Sequence, residues 1–218
     1  MSINSSKEKV ALAKWLYQND ERSYQNPRKL QKFLFFYEVF SKVMGKPYDL
    51  GQFRIWINGP VESVLYGDYT YRSSHLIKAM ESNHETIQED IAKRAGFLVQ
   101  ILNTKEISEL SHKFDYWKKP AKQYGDDELR VRNVAGHERD FSEKDVRMAQ
   151  ELFDLYDTEF IENSVVVHTL GKHFVMSKND FGNLSEKQQE ILDNLSEDDS
   201  LMNPVFVEID EDGSLLVD

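Results

Sequence analysis

The chain has 218 residues, of which 40% are apolar, 12% aromatic and 30% charged. This composition is typical of a soluble globular protein and excludes a disordered one. The absence of cysteine excludes disulfides, thiolate metal sites and cysteine nucleophiles, and it is typical of a reducing compartment. No run of about 18 apolar residues is present, and the polar stretch after Met1 lacks the apolar core of a secretory signal. We therefore expect a cytoplasmic protein that does not enter a membrane.

The charge of the chain is strongly negative and unevenly distributed. It has 27 basic and 38 acidic residues, for a net charge of −11. The stretch from Ser196 to Asp218 has no Lys or Arg, and it contributes −8 through Glu197, Asp198, Asp199, Glu208, Asp210, Glu211, Asp212 and Asp218. This sign disfavours binding to nucleic acid. Two interpretations of the acidic stretch stay open: a solvated C-terminal edge, or a mimic of nucleic acid.

Two helices are predicted in the first 45 residues. Ser5 and Glu8 have the spacing of a capping box at the start of the first helix. The second helix has Asn26 as its N-cap and Pro27 at its first position, and it ends at Gly45. Its apolar side chains follow two stripes and predict a buried central helix: Leu30, Phe33, Leu34, Tyr37 and Phe40 on one, and Phe36, Val39 and Val43 on the other. We expect its basic residues Arg28, Lys29 and Lys32 to form a solvated face, with contact to a partner protein as the alternative.

The middle of the chain alternates between helical patterns and breaks. Residues 53–57 alternate as a short strand, and Asn58–Pro60 ends it. We expect Pro60 to open a helix that continues to about Tyr69. Further helices are predicted at 74–80, 86–102 and 104–113. Between Tyr116 and Asp140 the periodicity fades, which predicts a long loop.

The last third of the chain mixes helices with hairpins. Ser142 with Asp145, and Ser185 with Gln188, mark the starts of two helices. Strands are predicted at 165–169 and 173–176, and again at 205–209 and 214–217, each pair joined by a turn that contains glycine. The fold class is therefore α+β and predominantly α-helical: a helical core with a short strand near residue 55 and small hairpins in the C-terminal third. We divide the chain into a helical domain at 1–140 and, at 141–218, a helix and hairpin extension packed on it.

Several segments of the sequence match one known family in order and spacing. They are LQKFLFFYEVF (Leu30–Phe40), GKP (Gly45–Pro47), FRIWINGPVESVLY (Phe53–Tyr66) and LSHKFDYWKKP (Leu110–Pro120). The chain resembles the Panacea domain family, also described as SocA-like or phage-associated antitoxins. The resemblance covers about half of the chain.

The resemblance implies a bacterial, prophage-associated antitoxin of a toxin–antitoxin system. Such a protein neutralises a toxin encoded by a neighbouring gene through direct binding, and one SocA-type member acts as a proteolytic adaptor, so a protease is an alternative partner. No catalytic residue, metal or cofactor comes with the family. The acidic nucleic-acid mimic, an anti-defence role, stays open as the second class of function.

Five residues are our candidates for the partner-binding surface. Large aromatic rings and cations dominate the energetics of protein interfaces, and the candidates are Trp56, Asn58, Trp117, Lys118 and Lys119. The competing interpretation is structural, because Trp56, Gly59 and Pro60 also have the pattern of a strand followed by a tight turn.

Histidines next to carboxylates are the only pattern that suggests catalysis. His112 with Asp115, and His137 with Glu138 and Asp140, bring imidazole beside carboxylate, and His168 and His173 flank a hairpin turn. None of these has the spacing of a metal-binding or hydrolase motif, and no phosphate-binding glycine motif occurs. We therefore expect no enzyme activity, no cofactor and no metal, while an enzyme using a pocket between His112 and His137 stays the third class.

Overall fold

The structure of the protein is a computed structural model, which describes residues 2–131 and 134–218. It is 60% helical with 14% strand, and the described strands form one three-stranded and one four-stranded sheet. The predicted α+β, predominantly helical fold class is confirmed. The chain divides into two units, Met1–Val99 with Thr104–Tyr156, and Gln100–Asn103 with Asp157–Asp218.

The first unit consists of helices around a small antiparallel sheet. The sheet has the strand order β2-β1-β3, with β1 at Phe53–Trp56, β2 at Gly59–Glu62 and β3 at Val134–Ala135. A short 3-10 turn covers Glu138–Asp140. The α-helices are α1 (Lys7–Asn19), α2 (Glu21–Gln25), α3 (Pro27–Val43), α4 (Ser63–Tyr71), α5 (Ser73–Glu81), α6 (Glu89–Ile101), α7 (Thr104–His112), α8 (Asp115–Val131) and α9 (Glu143–Asp154). The last two residues of α6 are assigned to the second unit.

Helix α3 is the buried central helix that the sequence predicts. The Asn26 side chain accepts hydrogen bonds from the backbone N–H groups of Arg28 and Lys29, Pro27 stands in the first turn, and Gly45 follows the helix with a φ of +64°. The predicted core residues Leu30, Phe33, Leu34, Tyr37 and Phe40 are all buried, as are Phe36 and Val39 of the second stripe. The confirmed burial follows from apolar residues on two adjoining faces of one helix.

The capping box predicted at Ser5 lies one residue away from the true cap. Ser6 is the N-cap of α1, and its side chain accepts a hydrogen bond from the backbone N–H of Lys9. Ser5 instead binds the Asp68 carboxylate through both its backbone N–H, at 2.7 Å, and its hydroxyl, at 2.6 Å. The Ser5 hydroxyl therefore binds the distant Asp68 carboxylate and does not cap α1.

The helix predicted to open at Pro60 begins later. Pro60 lies in β2 opposite Ile55, and α4 begins at Ser63 with Glu62 as its N-cap. Proline is tolerated here because β2 is an edge strand, where a missing N–H does not break a ladder on both sides. The turn at residues 57–58 reverses the chain first.

The loop predicted between Tyr116 and Asp140 is mostly helical. Helix α8 covers much of it, and Gly125, with φ 70° and ψ 167°, interrupts the helix at a kink. Tyr116, Ala121 and Leu129 are buried, so tertiary contacts stabilise this helix. Pro120 and Gly125 interrupt the helical periodicity of the sequence, and the sequence pattern therefore predicts a loop here. Residues 132 and 133 of this stretch lie outside the described ranges.

The second unit contains the four-stranded sheet, with the order β4-β5-β6-β7. Strands β4 and β5 form an antiparallel hairpin, β5 and β6 are parallel, and β6 and β7 are antiparallel. Both predicted hairpins and the Ser185 capping box are confirmed. Its elements are α10 (Thr158–Asn163), β4 (Ser164–Thr169), β5 (Lys172–Ser177), α11 (Lys178–Asn183), α12 (Glu186–Ser196), β6 (Val205–Ile209) and β7 (Leu215–Val217). Its core comprises Phe174, Met176, Leu192, Val205 and Val207.

Helix α9, which the sequence predicts to lie in the C-terminal extension, belongs to the first unit. Phe153 of α9 packs edge-on against Phe40, with ring centroids 5.5 Å apart. The Arg94 guanidinium donates hydrogen bonds of 2.6 Å to the carbonyls of Phe153 and Tyr156. These contacts hold the chain to the helical core as far as Tyr156.

None of the helices in the described ranges combines the length and the hydrophobicity needed to cross a bilayer.

Candidate functional site

The structure brings together the two predicted site tryptophans, which are 61 positions apart in the chain. The indole N–H of Trp117 donates a hydrogen bond of 2.8 Å to the backbone carbonyl of Trp56. The Trp56 ring packs edge-on against Tyr66, with centroids 5.1 Å apart. All three rings are partly exposed. We call Trp56, Tyr66 and Trp117 the tryptophan surface.

The three polar candidates differ in their positions. Asn58 is exposed in the turn between β1 and β2, Lys118 is half-buried beside Trp117, and Lys119 is exposed. The Lys119 ammonium donates to the backbone carbonyl of Asp140 at 3.3 Å, and Lys119 lines a cavity of about 150 Å³ in which neither tryptophan takes part. Lys119 therefore lines this cavity and is not part of the tryptophan surface.

His112 joins the tryptophan surface from the end of α7. Its ring stacks on Trp117, with centroids 3.8 Å apart and planes 16° apart. Its Nε2 atom is buried and has no hydrogen-bond partner among the described residues. Burial, followed by the charge of Lys32, lowers the pKa of His112 to about 4, so the ring is neutral at pH 7. Asp115, its predicted carboxylate partner, instead accepts a hydrogen bond from the Ser142 hydroxyl.

Lys32 and Lys29 are wrongly predicted by the sequence to lie on a solvated face. Lys32 is only 1% exposed, and its Nζ donates to the backbone carbonyl of Pro60 at 3.3 Å. Burial lowers its pKa to about 7. Lys29 is likewise buried, and only Arg28 of the three is exposed. Lys32 and Lys29 lie four and seven residues before Phe36, on the same side of the helix as the buried Phe36 and Val39. This spacing is the signal that could have predicted their burial.

Gly59 allows Lys32 to approach α7. Its φ of +104° is a conformation that favours glycine. A Cβ atom at this position would lie 2.5 Å from the Ser111 hydroxyl and closer still to Lys32 Nζ. Ser111 is fully buried and donates to the carbonyl of Ser108 at 2.7 Å. The Lys32 amine and the Ser111 hydroxyl therefore both lie against Gly59, and Ser111 directly precedes His112, which stacks on Trp117.

The other histidine patterns do not form comparable sites. His137 is exposed, and its neighbour Glu138 is bound by the Lys42 ammonium at 2.7 Å and by the Tyr48 hydroxyl. The cavity that His137 lines does not include His112. His168 and His173 are cross-strand partners with ring centroids 4.3 Å apart. Across the described ranges, no three His, Asp or Glu side chains are grouped so that they could hold a metal ion.

Comparisons of the chain with protein-family models, with curated proteins and with solved structures found no significant match. The resemblance to the Panacea domain therefore stays a prediction.

Proposed function

We propose that the protein is an antitoxin-like binding module that neutralises a toxic partner protein by direct binding, and that it contacts this partner through the tryptophan surface. The observation that carries the proposal is the hydrogen bond of 2.8 Å from the Trp117 indole N–H to the backbone carbonyl of Trp56, which places the two tryptophans side by side. Two segments of the Panacea resemblance, far apart in sequence, thereby contribute to one partly exposed aromatic patch.

The physical properties of this patch suit a protein interface. Tryptophan and tyrosine are enriched among the residues that carry most of the binding energy of protein interfaces. The patch contains two tryptophans and one tyrosine, and polar residues flank it: half-buried Lys118 follows Trp117, and exposed Asn58 lies two positions after Trp56. A stable neutralising interface buries about 1,200 to 2,000 Å² in total, so the three rings would form its centre and polar neighbours its rim.

Co-expression tests this proposal. The protein alone should be harmless, the product of the neighbouring gene alone should arrest growth, and the two together should restore growth. Trp56→Ala and Trp117→Ala should each release toxicity, because a truncated ring removes contact area at the centre of the interface. The matched control is Tyr71→Ala, which truncates an aromatic ring that is 81% exposed in the same unit and should leave the rescue intact.

Three readouts complete the design. Circular dichroism of each purified variant establishes that it is folded, and co-purification of the two proteins measures direct binding. A constant level of the partner on immunoblots supports occlusion, whereas loss of the partner that depends on one host protease indicates the proteolytic-adaptor mechanism instead. A harmless neighbouring product, or full rescue by folded Trp56→Ala and Trp117→Ala variants, would contradict the proposal.

A further inference from the structure

We propose that a cavity of the second unit binds the side chain of an arginine in a basic segment of another protein. The cavity has a volume of about 250 Å³, is open to solvent and is lined by residues of β5, β6 and the short helices beside them. We call it the β5–β6 cavity. This inference goes beyond the proposed toxin neutralisation, because it concerns the other unit of the chain and is tested without a toxin.

The cavity lies where two neighbouring strands stop pairing. Strands β5 and β6 are parallel partners at two residue pairs, Phe174 with Val205 and Val175 with Phe206. Beyond these pairs β5 continues to Ser177 and β6 to Ile209, and both continuations line the cavity. The sheet therefore leaves room between two of its strands that a side chain from outside can enter.

The walls of the cavity are mainly apolar. Buried Val175, Met176 and Val207 line it, together with the rings of Phe160 and Phe206, whose centroids are 6.4 Å apart. Phe160 is 40% exposed, so part of its ring faces solvent. Apolar walls cover the aliphatic stem of a long cationic side chain, and aromatic rings stack on a guanidinium group.

Two carboxylates lie at this apolar surface. Half-buried Asp180 of α11 and exposed Glu208 of β6 both line the cavity. Neither forms an ion pair with a lysine or arginine in the part of the chain that the structure describes. A guanidinium group has five N–H donors in a planar fork that matches carboxylate oxygens, whereas an ammonium group is a point charge. Aromatic rings beside two carboxylates therefore favour arginine over lysine.

The charge of the whole second unit favours a basic partner. From Asp157 to Asp218 the sequence has 15 acidic and three basic residues, for a net charge of −12, and residues 100–103 add none. The remainder of the chain has 24 basic and 23 acidic residues. Nearly all of the negative field thus surrounds the β5–β6 cavity, and such a field attracts cationic segments and speeds their encounter.

The size of the cavity and this charge favour a protein segment over a small molecule. Pockets for drug-sized ligands have volumes of about 300 to 1,000 Å³, so the cavity fits one side chain. Free arginine would bring its own α-carboxylate into a unit of net charge −12. An arginine within a basic segment brings neutral peptide groups and neighbouring cations instead.

Four probes test the proposal. Three are capped peptides, acetyl-Gly-Lys-Arg-Lys-Gly-amide and its versions with lysine or citrulline in place of the arginine, and the fourth is free L-arginine. The arginine and lysine peptides have the same charge, so their difference in affinity measures recognition of the guanidinium group. Citrulline keeps the shape of arginine without its charge.

The measurement is two-dimensional NMR of the full chain at about pH 7 and constant ionic strength. We expect saturable shifts of the backbone amide signals of Ser177, Val207 and Ile209 with the arginine peptide. The lysine peptide should bind about threefold more weakly or worse, and the citrulline peptide about tenfold more weakly or worse. The Trp15 indole of the first unit, which donates to Glu89 at 2.9 Å, is the internal control and should not move.

Carboxylate variants separate the cavity from the general field of the unit. Asp180→Asn and Glu208→Gln should each weaken binding of the arginine peptide by about three- to tenfold, because each removes one partner of the guanidinium group. Glu190→Gln, on α12 and outside the lining of the cavity, removes the same charge and should change the affinity by less than about twofold.

A ring variant tests the aromatic wall. Phe160→Ala should weaken the arginine peptide by about threefold or more and reduce its advantage over the lysine peptide. Phe181→Ala is the matched control, since that ring is 47% exposed in the same unit and does not line the cavity. If Phe160→Ala does not fold, the peptide comparison on the wild-type protein and the carboxylate variants decide.

Four results would overturn the proposal. They are the absence of saturable shifts at the cavity amides, equal affinity for the arginine and lysine peptides, tighter binding of free L-arginine than of the arginine peptide, and an equal effect of Glu190→Gln and Glu208→Gln. Each is obtained on the purified chain alone, so it leaves the test of toxin neutralisation unaffected.

Discussion

At the scale of single residues, Phe33 and Lys32 show how neighbours on one helix face different environments. Phe33 is fully buried and stacks on Trp15, with centroids 5.5 Å apart and planes 6° apart. Lys32 is equally buried, but it places a titratable amine where the adjacent position places a hydrocarbon ring. The two residues therefore affect stability in opposite ways.

Phe33→Ala should lower the free energy of unfolding by about 3 to 5 kcal/mol, because the substitution removes buried apolar surface and leaves a cavity. Chemical denaturation measures the change. Tyr71→Ala is the control, since that ring is 81% exposed and its loss should cost less than about 0.5 kcal/mol. A cost below about 1 kcal/mol for Phe33→Ala would contradict the assignment of the core.

Lys32 should make stability depend on pH above neutrality. Burial lowers its pKa to about 7 in the folded protein, from an ordinary value of 10.5, so the unfolded chain binds one more proton between these values. Stability then rises with pH, by up to about 1.4 kcal/mol per unit, and falls as the pH drops toward the folded pKa.

The measurement is denaturation in chloride buffers between about pH 7 and pH 9.5. Lys32→Met should lack this rise, and the difference between variant and wild type isolates it from other titrating groups. An identical pH slope in both proteins would mean that Lys32 keeps its ordinary pKa.

At the scale of elements, helix α8 depends on contacts beyond itself. The Asp145 carboxylate accepts hydrogen bonds from the backbone N–H groups of Asp115 at 2.7 Å and Tyr116 at 3.0 Å, while also forming the capping box of α9 with Ser142. One buried carboxylate thus satisfies the first turns of two helices. The kink at Gly125 then interrupts α8.

Gly125 and Gly67 allow the effect of backbone conformation on stability to be measured without a change in packing. A Cβ atom added at either position would meet no neighbouring atom within 4 Å. Gly125→Ala should destabilise the protein by about 1 to 3 kcal/mol, because its positive φ with extended ψ is nearly restricted to glycine. Gly67→Ala, inside α4, should stabilise it by about 0.5 to 1 kcal/mol. Thermal unfolding compares them, and equal effects of the two substitutions would refute the assigned backbone conformation at Gly125.

At the scale of the whole molecule, the acidic C-terminal stretch is part of a folded unit. All eight of its acids are exposed, while Val205 and Val207 of β6 are buried in the core of the second unit. Removing the chain from Ser196 onward would therefore destroy that core. Substitution of the acids, rather than truncation, is the way to test the alternative in which the stretch mimics nucleic acid.

The triple variant Asp210→Asn, Glu211→Gln and Asp212→Asn should keep partner binding within about twofold, because the proposed interface lies in the first unit and contains aromatic rings. The amide oxygens preserve the hydrogen bonds that Asp210 and Asp212 accept in the turn. Binding is measured by calorimetry at low and high salt. A folded variant that loses most of its affinity, together with steep weakening of wild-type binding by salt, would favour the mimic over the antitoxin.

The sequence by itself determined the elements whose causes lie within a few residues. The Asn26 cap with Pro27, the capping boxes at Ser142 and Ser185, and the turn between β4 and β5 each depend on a side chain or a φ value next to the backbone they satisfy. The core face of α3 belongs to the same class, because apolar spacing along one helix defines which side must leave water.

Only the tertiary structure decided the features that depend on distant segments. Pro60 is in a strand because β1 pairs with it, and Trp117 reaches Trp56 across 61 residues. Lys32 is buried because Gly59 lets β2 lie against its amine, although its charge alone predicts exposure. The reason is physical: the chemistry of a side chain determines the free-energy cost of burying it, whereas the packing of the whole chain determines whether it is buried.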